Sequence, residues 1–126
     1  MENKSSIKHI EFWVSDLKKS MEFYSGLAKI LGWETEGDHA FYMGETKIYF
    51  REKKISRQDS LGPRHICFRA ENRSKVDEIG QFLKEVNAKI IRGPVDVSEY
   101  SPGYYTVDFY DRNGYVLEVA TKLAGR

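Results

Sequence analysis

The order of apolar and polar residues predicts a strand and then a helix at the start of the chain. Residues 7–14, IKHIEFWV, alternate between the two classes, as a strand with one buried face does. The apolar face carries Ile10, Phe12 and Val14, and the opposite face carries His9, Glu11 and Trp13. The next apolar residues recur every three or four positions, between a cap at Ser15 or Asp16 and a stop at Gly32. We therefore expect a helix over about 16–31.

Three short strands are predicted to complete this first unit. They cover residues 33–35, 40–43 and 46–51, and turn residues at 37–38 and 44–45 separate them. The predicted order is strand, helix and three strands.

The second half of the chain repeats this order. KHIEFWVSD at 8–16 aligns with RHICFRAEN at 64–72, and each copy places a histidine early in a strand before a helix. The helix is expected over about 74–86, with Asn72 or Ser74 as its cap and Asn87 as its stop. The strands are expected at 64–70, 88–92, 104–110 and 115–121, and an Asp-Arg-Asn-Gly turn joins the last two. Such a duplication indicates two supersecondary units, each of which needs a partner to bury its sheet.

The longest irregular stretch is predicted at 93–103, GPVDVSEYSPG, with glycine and proline at both ends. Long loops in compact domains are often functional, so this stretch is a candidate lid. A simple connector is the alternative.

The composition favours one globular domain over residues 1–126. The chain is 40% hydrophobic and its formal net charge is +1, which excludes a protein that binds nucleic acid through a strong positive charge. No apolar run is long enough to span a membrane, and the N-terminus lacks the apolar core of a signal peptide. The lone Cys67 cannot form an internal disulfide. A cytoplasmic location is the expectation.

Two histidines and one glutamate form a candidate metal site. His9 and His65 occupy matching positions of the repeat, and Glu118 lies within the otherwise apolar strand VLEVA. A carboxylate in a buried sheet is costly unless it is paired or bound to a metal. Two imidazoles and one carboxylate suit one divalent ion with open positions, which could be Zn, Ni, Mn, Fe or Co. The alternative is a salt bridge from Glu118 to Arg51 or Arg69.

Strand alternation places further polar side chains on the same faces as these residues. On strand 104–110, Val107 and Phe109 are expected to face the helices, which leaves the residues between them for a cleft. The candidate acid or base groups are Glu11, Asp108 and Tyr104. The candidate substrate-binding residues are Trp13, Tyr49, Arg51, Arg69 and Thr106, with Lys47 beside Tyr49 and Arg51.

Each of these assignments has a plainer alternative. The arginines could instead form ion pairs with Glu11 and Asp108. Cys67 would be a nucleophile only beside positive charge, and the interpretation favoured from its strand is packing. His39 has no counterpart in the repeat and is expected to be a surface residue.

The duplicated module, the FY pair in the first helix and DRNGYVLE at 111–118 resemble the vicinal oxygen chelate superfamily. Its members include glyoxalase I, fosfomycin-resistance enzymes, extradiol dioxygenases and bleomycin-binding proteins. The resemblance covers residues 7–121. It implies an α+β fold of two tandem βαβββ modules, about 7–53 and 63–121, which form a cleft between curved mixed sheets. It also implies a homodimer and a divalent ion that is chelated by two vicinal oxygens of a small-molecule substrate.

The resemblance places the four family ligand positions on His9, Tyr49, His65 and Glu118. This pattern is similar to that of the fosfomycin-resistance and dioxygenase branches, because glyoxalase I usually carries a second glutamate where this chain has Tyr49. Fosfomycin transferases carry threonine where this chain has Glu11, and their basic C-terminal segment has little counterpart here. Ring-cleaving dioxygenases usually have a longer chain and one more histidine.

The expected activity is therefore that of a metal-dependent, glyoxalase-like enzyme with lyase, isomerase or dioxygenase-like chemistry. The alternative is a metal-free protein that binds a small molecule or an antibiotic, as bleomycin-resistance relatives do. Those relatives lack the ligand set of two histidines and a glutamate.

Overall fold

A computed structural model describes residues 7–54 and 65–122 of the chain. The chain divides into two compact units, Met1–Ser56 and Arg57–Arg126. Each unit contains one helix and one four-stranded mixed sheet in the order βαβββ, so the predicted α+β fold of two tandem modules is confirmed.

The first unit follows the predicted order closely. Its elements are β1 (His9–Val14), α1 (Leu17–Leu31), β2 (Glu34–Glu36), β3 (Ala40–Met43) and β4 (Thr46–Glu52). The strands pair in the order β1-β4-β3-β2, and β1 runs parallel to β4 while the other neighbours are antiparallel.

Both ends of α1 form at the predicted residues. The Asp16 side chain accepts a hydrogen bond from the Lys19 amide at 3.0 Å, which caps the N-terminus. Gly32 ends the helix with φ 87°, a left-handed conformation that favours glycine. The helix packs on the sheet through buried aromatic rings, and the Tyr24 and Phe50 ring centroids lie 4.5 Å apart. This packing leaves the opposite face of the sheet, with His9, exposed.

The second unit repeats the arrangement of the first. Its elements are β5 (His65–Arg69), α2 (Arg73–Glu85), β6 (Ile90–Asp96), β7 (Tyr105–Tyr110) and β8 (Val116–Thr121). The strands pair in the order β5-β8-β7-β6, and β5 runs parallel to β8. Asn72 caps α2 by accepting from the Lys75 amide at 3.0 Å, and Asn87 after the helix has φ 58°. The core side chains Val76, Ile79, Leu83, Val107, Phe109, Leu117 and Val119 are fully buried.

The prediction for the irregular stretch at 93–103 is wrong in its first part. Strand β6 continues to Asp96, so residues 93–96 belong to the sheet and the loop begins at Val97. Shifts in the pairing of β6 with β7 fall between Ile90, Arg92 and Val95. Such bulges let a strand pass through Gly93 and Pro94, which sequence rules treat as strand breakers.

Among the described residues, none of the helices has the length and apolar character that crossing a membrane requires.

Candidate metal centre

The parallel pairing of β5 with β8 brings His65 and Glu118 together. Cys67 is the register partner of Glu118, and His65 is that of Val116. Side chains two residues apart on a strand point to the same face, so His65 and Glu118 are diagonal neighbours. His65 Nε2 lies 3.1 Å from Glu118 Oε1. The structure therefore joins two of the three predicted metal ligands within one unit.

Glu118 is a buried carboxylate, with only 7% of its surface exposed. Thr106 Oγ1 donates to its Oε2 at 2.6 Å, and the Tyr104 hydroxyl donates to the same oxygen at 2.8 Å. Burial alone would raise the pKa of Glu118, but the hydrogen bonds from Thr106, Tyr104 and His65 outweigh burial and hold its pKa below the ordinary value. Glu118 is therefore ionised at neutral pH, as a metal ligand must be.

The sequence left open a salt bridge from Glu118 to an arginine as the alternative to metal binding. Within the second unit, this carboxylate has hydrogen bonds with His65, Thr106 and Tyr104, and Arg69 is not among these three partners.

The donor pair fits a divalent ion. Two ligand atoms that each lie about 2.1 Å from one ion at right angles are separated by about 3.0 Å. The 3.1 Å between His65 Nε2 and Glu118 Oε1 matches that separation. The His65 side chain is 38% exposed, so the pair is open on one side. An open imidazole and carboxylate pair is typical of a site that leaves positions for a substrate.

The first unit places His9 in an equivalent position. His9 is the register partner of Lys47, and Glu11 is that of Tyr49. Tyr49 thus bears the same relation to His9 as Glu118 bears to His65. The His9 and Tyr49 ring centroids lie 5.4 Å apart. Tyr49 is therefore the structural counterpart of Glu118, in agreement with the repeat in the sequence.

His9 borders a polar cavity of about 310 Å³ within the first unit. The cavity is lined by Lys8, His9, Glu36, His39, Ala40, Glu45, Lys47 and Tyr49. His39 is exposed, as predicted, but it also reaches this cavity because Ala40 pairs with Tyr49. This position could not be predicted from the sequence, since it depends on the register between β3 and β4.

Neither unit on its own, over residues 7–54 or 65–122, groups three histidine, cysteine, aspartate or glutamate side chains suited to a metal. The second unit contributes His65 and Glu118, and the remaining predicted ligand, His9, belongs to the first unit.

The predicted polar residues of the first unit cluster around Glu11. Glu11 Oε2 accepts from Trp13 Nε1 at 2.9 Å and lies 3.4 Å from Arg51 Nε. Trp13 is 48% exposed, and the Lys53 ammonium lies 4.9 Å from the centre of its ring. The sequence offered an ion pair with Glu11 as the alternative to substrate binding by Arg51, and the structure contains this ion pair. Both side chains are still partly exposed, so this face of the sheet is charged.

The second unit gives Asp108 a partner that the sequence did not indicate. Arg92 Nε lies 3.4 Å from Asp108 Oδ1, and the Arg92 guanidinium lies 5.9 Å from the centre of the Tyr100 ring. Arg92 was missed because the bulges in β6 break the alternation that would place it. Thr106 and Tyr104 face Glu118, while Val107 and Phe109 are buried under α2, as predicted.

Cys67 is exposed on the same face as His65, which contradicts the prediction that it is a packing residue of the strand. Burial of its sulfur by neighbouring atoms and the charge of Glu118 raise the pKa of Cys67 to about 12. The thiol is therefore protonated at neutral pH and is a poor nucleophile. Arg69 is also exposed on this face.

The comparisons with known proteins agree with this architecture. Residues 6–119 match the family model of the Glyoxalase/Bleomycin resistance protein/Dioxygenase superfamily. Metallothiol transferase FosB from Staphylococcus saprophyticus is 31% identical over 120 residues, which cover 92% of this chain and 76% of that protein.

Solved structures share the fold over nearly the whole chain. A candidate glyoxalase from Bacillus halodurans superposes with a TM-score of 0.76 at 27% identity, covering 91% of this chain and 94% of that one. The genomically encoded fosfomycin resistance protein FosX from Listeria monocytogenes superposes with a TM-score of 0.69 at 21% identity, covering 96% of both chains. At 21% identity, the similarity to FosX shows the fold alone. The family model and the curated relative together establish that this chain belongs to the glyoxalase/bleomycin resistance protein/dioxygenase superfamily.

Proposed function

We propose that this protein is a metal-dependent enzyme in which His9, His65 and Glu118 bind one divalent ion. The observation that carries the proposal is the pairing of His65 with an ionised, buried Glu118 at 3.1 Å. A carboxylate that stays ionised beside an exposed imidazole offers two metal-ligand atoms of suitable type next to each other. His9 joins them in the proposal because it occupies the equivalent place in the first unit.

The bound ion would act as a Lewis acid toward a small substrate that chelates it through two vicinal oxygens. The donor set suits Zn, Ni, Mn, Fe or Co. The charged face of the first unit, with Arg51 and Trp13, supports binding of a polar substrate by that face. Arg69 and Tyr49 are proposed to contribute to the same binding.

Proton transfer is assigned to Glu11, with Asp108 as the second candidate. The Glu11 carboxylate is polarised by Trp13 and Arg51, and its side chain is 32% exposed, so a substrate could reach it. Asp108 is more enclosed, at 20% exposure, and is paired with Arg92. Tyr104 donates its own proton to Glu118, which commits that hydroxyl to the carboxylate.

Thiol transfer is a second candidate reaction beside lyase, isomerase or dioxygenase-like chemistry. It is supported by the 31% identity to a protein named as a metallothiol transferase, although Glu11 replaces the threonine of fosfomycin transferases. An assay of the metal-loaded protein with a thiol and fosfomycin would show consumption of the thiol if this candidate is right. A hemithioacetal tests lyase or isomerase chemistry, and a catechol tests dioxygenase-like chemistry.

The proposed enzyme is a homodimer. The support is that the ligands divide between two units, each with a sheet face that carries exposed charged and aromatic side chains. Such faces are suited to a partner module, which can come from a second copy of the chain. Metal-free binding of an antibiotic remains the competing function, and it predicts no need for the three ligands.

The proposal is tested by the metal content of protein purified without a histidine tag and incubated with Mn(II), Co(II), Ni(II) or Zn(II). We expect about one ion per chain in the wild type, and a loss of tenfold or more in affinity for His9→Ala, His65→Ala and Glu118→Ala. His39→Ala removes the remaining histidine of the chain and should retain full metal binding. A wild type that stays metal-free with all four ions contradicts the proposal.

A further inference from the structure

The two oxygens of Glu118 have different surroundings. Oε2 accepts two hydroxyl hydrogen bonds, from Thr106 at 2.6 Å and from Tyr104 at 2.8 Å. Oε1 lies 3.1 Å from Nε2 of the His65 imidazole. A carboxylate oxygen has two lone-pair directions, so two short hydrogen bonds occupy both and leave no free direction for a metal ion. The arrangement therefore distinguishes the two oxygens before any ion binds.

The Thr106 hydroxyl is committed to this carboxylate. Thr106 is fully buried, and its Oγ1 also lies 3.2 Å from the Val119 carbonyl oxygen. A hydroxyl has one proton, and a short bond to a charged oxygen is stronger than a longer bond to a neutral one. The proton thus goes to Glu118. The backbone of Thr106 is also fixed, because Gly93 packs so closely on its carbonyl oxygen that a Cβ there would overlap it.

The Tyr104 hydroxyl reaches the same oxygen from the end of the loop that follows β6. Its ring packs edge-on against Tyr100, with 5.2 Å between the ring centroids. A carboxylate oxygen can only accept, so the Tyr104 hydroxyl is the donor in this contact. Tyr105, the next residue, points to the other side and donates to Asp77.

We propose that Tyr104 and Thr106 are positioning residues that make Glu118 bind its metal through Oε1 alone. The inference rests on the proposed metal-binding function. Carboxylates bind divalent ions through one oxygen or through both. With two histidines and one carboxylate oxygen, a six-coordinate ion keeps three open positions, enough for two substrate oxygens and one water. A two-oxygen glutamate would leave only two positions, and its second oxygen would compete with a chelating substrate for them.

The test uses full-length protein loaded with Co(II), whose visible and X-ray absorption spectra report the number of ligand atoms. The variants are Thr106→Val and Tyr104→Phe, which remove one hydroxyl each, with Thr106→Ser as the conservative variant and Tyr105→Phe as the matched control. Co(II) affinity is measured by competition with a chelator, and oxalate serves as a two-oxygen probe.

We expect Thr106→Val and Tyr104→Phe to weaken Co(II) binding by about tenfold or more. Both should also change the Co(II) spectrum and weaken oxalate binding to the loaded protein. Thr106→Ser should restore wild-type values, and Tyr105→Phe should leave them unchanged. If Thr106→Val fails to fold, Tyr104→Phe decides, because that side chain is only partly buried.

Two results overturn the inference, and they are distinguishable. If the wild type binds Co(II) and both hydroxyl deletions leave affinity, spectrum and oxalate binding unchanged, the inference is wrong while the proposed function stands. If the wild type binds no Co(II), the proposed function and this inference fail together.

Discussion

At the scale of single residues, the chemistry of the second unit depends on hydrogen bonds around Glu118. Burial and hydrogen bonding act on this carboxylate in opposite directions, and the donors prevail. The sequence identified Glu118 and His65 from the repeat and the apolar context of the strand. It placed Thr106 and Tyr104 on the correct face but did not assign them to Glu118, because alternation predicts a face and not a rotamer.

Cys67 offers a test of this local environment. Since burial and Glu118 raise its pKa to about 12, the thiol stays protonated across neutral and mildly alkaline pH. With metal-free protein at pH 8, we expect iodoacetamide to alkylate Cys67 roughly a hundredfold more slowly than an ordinary exposed cysteine, because the smaller thiolate fraction is only partly offset by higher nucleophilicity. Unfolding in urea should restore the ordinary rate. Rapid alkylation of the native protein at pH 8 would contradict the described surroundings of the sulfur.

At the scale of elements, the repeat predicted most of the fold, because both helices carry clear apolar stripes and capping residues. The caps at Asp16 and Asn72 and the stops at Gly32 and Asn87 formed as expected. The exception is β6, where Gly93 and Pro94 suggested a loop but lie within a strand. Bulges depend on pairing with β7, a partner distant in sequence, so local rules do not reveal them.

The bulged strand β6 can be tested by comparing alanine substitutions at Gly93 and at Gly114. A side chain there would combine a left-handed φ of 94° with overlap of the Thr106 carbonyl. Gly114 also has a left-handed φ, of 88°, but a Cβ at that position meets nothing within 4 Å. We expect Gly114→Ala to lower the free energy of unfolding by about 1 kcal/mol and Gly93→Ala by about 3 kcal/mol or more. Urea denaturation measures both, and equal effects would contradict the close packing on Thr106.

At the scale of the whole molecule, the duplicated module explains why the candidate ligands are divided. Each unit supplies a histidine at the same register position, and the diagonal neighbour of that histidine is the carboxylate Glu118 in the second unit but Tyr49 in the first. Tyr49 holds the corresponding position in the first unit, and its contact with His9 is aromatic. The sequence could predict this asymmetry from the repeat. It could not predict how the units combine, since that depends on surfaces rather than on local periodicity.

The proposal that His9, His65 and Glu118 bind one divalent ion can be tested in crystals. Anomalous diffraction from crystals of the Co(II)-loaded protein tests it most directly. We expect one anomalous peak per chain. The peak should lie about 2.1 Å from His65 Nε2, from Glu118 Oε1 and from a ring nitrogen of His9, which can belong to the same chain or to a second copy. A peak at His39 or Cys67 instead, or no peak in crystals soaked with excess Co(II), would contradict it.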